Sequence, residues 1–159
     1  MSGKFIKRLT MLSLVSMFTL FAAVASANAQ LIYPVRAKIP FDFSVGDNKL
    51  QSGEYIFSRL SPESKIMLVR SADANTSVFQ PTFGIQVLTS KNESKLVFHR
   101  YGDLYFLEQI WTGGQQAGTL VPESRSERTI RQQLAKTQQS NLSGKVTKVE
   151  KVEIVAGLF

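Results

Sequence analysis

The chain has no cysteine, a single histidine and a single tryptophan in 159 residues. Without cysteine there are no disulfides, no thiolate nucleophile and no thiolate metal site, and the bacterial lipoprotein route is closed. One histidine with scattered carboxylates has no metal-ligand spacing. Neither a GxGxxG nor a GxxxxGK loop is present, so the Gly113-Gly114 stretch is not a phosphate cradle. No serine stands in a nucleophile-elbow setting. The residues therefore nominate no catalytic, cofactor-binding or metal site.

What is present begins with a three-part leader. Lys4, Lys7 and Arg8 form a basic start, Leu9 to Val24 carries no charge, and Ala27-Asn28-Ala29 offers small residues where a signal peptidase cuts. The uncharged run falls short of the roughly 20 residues a membrane span needs. Residues 1–29 are thus expected to be a cleaved signal peptide and 30–159 a single β-rich domain. Three of the nineteen cations leave with the leader, which lowers the net charge from +7 to +4. That mild balance gives no reason to expect nucleic acid. A domain of this size can bury about two-thirds of its unfolded surface without staples.

The mature part reads as strands. Val35, Ala37, Ile39, Phe41, Phe43 and Val45 alternate with mainly polar neighbours, the period of a half-buried strand, with Pro40 marking an edge or a bulge. Gly46 to Lys49 reads as a turn, Gly53 to Leu60 as a second strand, and Lys65 to Arg70 as one buried on both faces. Phe79, Phe83, Ile85 and Val87 share a face opposite Gln80, Thr82, Gly84 and Gln86. The strongest hairpin is Leu96–Trp111, turning at Gly102-Asp103. Its register sets Arg100 opposite Tyr105, His99 opposite Phe106 and Phe98 opposite Leu107. Both its faces are apolar, which places it centrally, with a second sheet on one side and a helix on the other.

Residues 113–118 read as a flexible connection. A helix is expected near 124–138, opened by a Ser124/Glu127 capping box, buried along Ile130 and Leu134, and closed by Asn141 to Gly144. A last strand is expected within Lys145–Val155. The expected fold is mainly β: a small antiparallel sandwich or barrel of about seven strands, with one α-helix in the C-terminal half.

Three features invite function. His99 has Glu108 diagonal to it on one face, yet no partner with a reactive oxygen completes a triad, so a structural role is expected. Arg125, Arg128 and Arg131 could meet an anionic envelope component, or form a solvated face with a Glu127–Arg131 pair. A final Phe159 is the mark of outer-membrane barrels, but Glu153 and Lys151 fall at the lipid-facing positions that alternate inward from it. Asn75, Asn92 and Asn141 open glycosylation patterns that matter only in a eukaryotic secretory route.

Two segments carry a resemblance. One is Ile39-Pro40-Phe41-Asp42-Phe43 with Val45-Gly46, Leu50 and Gly53-x-Tyr55. The other is Phe98-His99-Arg100-Tyr101-Gly102-Asp103 with Tyr105-Phe106-Leu107 and Ile110-Trp111. With the leader and the Arg-rich helix, they resemble an uncharacterised family of short exported bacterial proteins over about residues 35–135. The resemblance implies a periplasmic or extracellular location in bacteria and carries over no activity. The Leu50-x-x-Gly53-x-Tyr55 piece also resembles the strand entry of transthyretin-like sandwiches, at the level of fold alone. The expectation is an exported, non-catalytic protein that binds a ligand or serves the envelope, touching membrane only through its leader before cleavage. An extracytoplasmic hydrolase and a small outer-membrane barrel are the alternatives.

Overall fold

Pro40 has no N–H to give a ladder, and the computed structural model breaks the first alternating segment there. The structure describes residues 34–61, 63–88, 92–140 and 149–158. The leader, the helix end after Ser140 and Phe159 lie outside them. Strand β1 (Val35–Ile39) stops before Pro40, and β2 (Phe43–Val45) resumes after Asp42, whose Oδ1 accepts the Ser52 N–H at 2.7 Å. The alternation survives the break: Val35, Ala37, Ile39, Phe43 and Val45 are all buried in one core, and Phe41 packs against it.

There are eleven strands among the described residues, because several expected ones divide and two expected loops pair. After β1 and β2 come β3 (Asn48–Leu50), β4 (Gly53–Arg59), β5 (Ile66–Ser71), β6 (Ser77–Pro81) and β7 (Phe83–Gln86). Then follow β8 (Ser94–Tyr101), β9 (Leu104–Trp111), β10 (Ala117–Leu120), helix α1 (Arg125–Ser140) and β11 (Glu150–Leu158). β3 falls in the expected Gly46–Lys49 turn, and β10 starts within the expected 113–118 connection. The fold is mainly β with one helix in the C-terminal half, and the sheet curls into a nearly closed barrel.

Strand order runs β3-β2-β9-β8-β11-β1-β4-β5-β6. β9 forks: Phe106 lies beside Ser44 of β2, while Gln109 to Trp111 pair with β10, which in turn pairs with β7. β6 and β7 meet at Thr82, whose N–H and hydroxyl both donate to Lys65 O, at 2.7 and 3.0 Å. Inside, Val69, Leu96, Phe98, Leu107 and Ile110 meet the β1 and β2 residues in a single apolar core.

One burial expectation fails, and one expected pair of faces is turned with its aromatic side out. β5 is buried on one face only: Met67 and Val69 point inward, while Ile66 is exposed. On β6 and β7, Gln80 (8 % exposed) and Thr82 (5 %) point inward, while Phe79 (60 %) and Phe83 (57 %) face out. The cause is register. β6 pairs with β5 so that Met67 faces Gln80 and Val69 faces Val78, and with period two this turns Phe79 outward. Gln80 tolerates the interior because its Nε2 donates to Pro81 O at 3.1 Å.

The hairpin forms at Gly102, whose φ of +65° suits glycine, and the expected pairs His99–Phe106 and Phe98–Leu107 form. Beyond Phe98 the register slips, and Val97 faces Gln109. Glu108 is the extra residue of this β-bulge. Trp111 is buried on the outer face, its ring so close over Gly118 that an added Cβ would stand 2.6 Å from it. Only glycine fits there.

Candidate functional site

The single histidine sits where hairpin, helix and last strand meet. His99 and Tyr101 share the outer face of β8, and the bulge turns Glu108 of β9 toward the same place. β11 runs antiparallel to β8 with Lys151 opposite His99. α1 arrives by its first turn. Ser124 Oγ accepts the Glu127 N–H at 3.1 Å, which is the Ser half of the expected capping box.

The other half does not form as expected. Glu127, 5 % exposed, turns its Oε1 to the sheet, where it stands 2.8 Å from His99 Nδ1 and accepts the Tyr101 hydroxyl at 3.2 Å. On the other edge of the ring, His99 Nε2 lies 3.1 Å from Glu108 Oε2. This second contact is ionic rather than a good hydrogen bond, since Glu108 Oε2 lacks an aligned donor. Lys151 Nζ stands 2.9 and 3.0 Å from the two Glu108 oxygens, and Gln109 Nε2 donates to Glu108 Oε1 at 2.9 Å. Gln109 Oε1 then accepts the Trp111 indole N–H at 2.9 Å. A chain of polar contacts thus links Trp111 to the first turn of α1.

Both ring nitrogens face carboxylate oxygens, which only accept. The cluster therefore favours an imidazolium with a proton on each nitrogen. The hydrogen bond to Glu127 raises the His99 pKa above its ordinary value of 6.5. Burial and Lys151 oppose that, and the Glu108 and Glu127 charges assist it. The Tyr101 hydroxyl is pushed up as well, mainly by burial and then by the Glu127 charge. The carboxylates stand on opposite ring edges, so they clamp a cation made of the ring itself and do not converge on a metal ion.

This cluster fixes the helix. Beyond Glu127, the described side chains of α1 are half-buried at Ile130 and Leu134 and otherwise exposed. The expected Glu127–Arg131 pair is replaced. Arg131 Nε donates to Glu123 Oε1 at 2.7 Å, and Arg128 Nε lies 3.5 Å from Glu123 Oε2. The Arg131 bond holds the Glu123 carboxyl below its usual range. Two of the three arginines offered to an anionic partner are thus engaged within the chain, and Arg125 alone keeps to an exposed first position.

His99 with Glu108 was readable from the hairpin register. Glu127 and Lys151 were not, because they approach across 28 and 43 to 52 residues of chain. The one available signal for Glu127 was its place at the third residue of a capped helix. No protein-family model, no curated protein and no solved structure matches the chain.

Proposed function

We propose that this chain is an exported, non-catalytic interaction protein of the bacterial envelope, acting through its outer face. The observation that carries this reading is the apolar patch on β5, β6 and β7, where Phe79 and Phe83 stand in solvent. Aromatic side chains left exposed on the outward side of consecutive strands are the pattern of a contact surface. The leader, with its basic start and Ala27-Asn28-Ala29, supports export. The barrel interior is filled by Phe98, Ile39, Leu96, Val45 and Val69, which favours contact outside over a ligand held within.

The two alternatives fare worse. A hydrolase built on His99 would need a free lone pair on the ring to take a proton, and both His99 nitrogens face acceptors. An outer-membrane barrel turns apolar residues to lipid all round, whereas this outer face carries the pairs Arg36–Glu54 and Lys95–Glu153.

Expression of the full chain in a Gram-negative host, followed by fractionation and N-terminal sequencing, tests the export half. The expected product is extracytoplasmic and starts at Gln30. Cytoplasmic protein retaining Met1 would overturn it.

A further inference from the structure

The outward-facing patch has a definite layout. Leu60 N donates to Ile66 O, and Ile66 lies opposite Pro81, giving a row Leu60–Ile66–Pro81. The next row is Ser58–Leu68–Phe79. Phe83, beyond the bend at Thr82, pairs with Leu120 and extends the patch toward β10. Leu60, Ile66, Phe79 and Phe83 are all exposed large apolar residues. Beyond the second row, Arg70 lies opposite Ser77 on the same face, and Lys65 precedes Ile66 at the other end. Both cations are exposed and make no ion pair among the described residues; the carboxylates nearest in sequence are Glu63, two residues before Lys65, and Asp73, three after Arg70, which hydrogen-bonds Ser71 and Asn75 instead.

We infer that the outer face of β5, β6 and β7 rests on an anionic phospholipid surface, with Phe79 and Phe83 entering the interface and Arg70 and Lys65 meeting the headgroups. The inference rests on the envelope reading above and names its partner. Two exposed phenylalanines among aliphatic residues supply the apolar contact, and the cations framing them supply charge complementarity. The engaged arginines of α1 leave this face as the better cationic surface. Membrane contact thereby passes from the leader to the folded domain.

Flotation of the processed protein, recovered from its exporting host, with lipid vesicles tests this. The protein is expected to float with phosphatidylglycerol–phosphatidylcholine vesicles and to remain below pure phosphatidylcholine ones. Added salt should weaken the binding. F79S/F83S should reduce the bound fraction about tenfold or more at an unchanged melting temperature, and R70Q should weaken it in part. In Phe79→Trp, emission should shift blue on the anionic vesicles beyond the shift of the parent, which reads insertion without removing the apolar group. A wild-type protein that stays unbound, or a double variant that floats equally, would overturn the inference. So would a dimer, seen by sedimentation, that F79S/F83S dissolves, since a second copy would then cover the face. Export is read separately by the Gln30 terminus, so failure here leaves that result standing.

Discussion

His99 Nδ1 stands 2.8 Å from Glu127 Oε1, and this contact joins the central hairpin to the first turn of α1. A helix held mainly at one end depends on that join. Its strength follows the charge on the ring.

Stability should therefore fall as the ring loses its proton. The folded pKa of His99 lies above its unfolded value of about 6.5, so the folded state binds the proton more tightly. The stabilisation is fully present below the unfolded value and is lost as pH rises through the folded one. Urea unfolding across that range should show declining stability. His99→Gln should flatten the decline, and a decline of unchanged slope in His99→Gln would place its origin elsewhere.

Glu127→Gln keeps the size of the side chain and removes its charge. The loss of the charge-assisted bond from this buried carboxylate to the half-buried His99 ring should cost about 1–3 kcal/mol. Ser124→Ala, which removes the cap, should cost about 1 kcal/mol. Denaturant midpoints of both variants check this. A neutral Glu127→Gln would show that α1 is held by Ile130 and Leu134 instead.

Part of the fold and the His99–Glu108 half of the site are legible in the chain. Local pattern gave the 35–45 alternation, the Gly102 turn, the His99–Phe106 register and the Ser124 cap, because each rests on neighbours in sequence. It failed where pairing is decided at a distance. Alternation sets Phe79 on the face opposite Gln80, but only the β5 register decides that this face is the outer one. The Glu108 bulge depends on Val97 facing Gln109, which symmetry about the turn does not foresee. Arg131 has Glu127 one helical turn back, yet Glu127 is drawn to His99, and Arg131 takes Glu123 before the helix.

Trp111 anchors the far end of the hairpin. Trp111→Ala should cost about 3–5 kcal/mol, as for buried aromatics generally. Gly118→Val should also destabilise, because its Cβ would enter the indole ring. Thermal melting separates the cases. A Trp111→Ala variant melting within a degree or two of the parent would contradict this packing.

The claim on which the account turns is that His99 is a clamped cation rather than a general base. An NMR pH titration of its ring in the processed protein measures this directly. The account predicts a pKa above 6.5, with protons on both Nδ1 and Nε2 below that value, and a downward move in Glu127→Gln. A ring that titrates at or below 6.5, with a bare nitrogen at neutral pH and no response to Glu127→Gln, would contradict it.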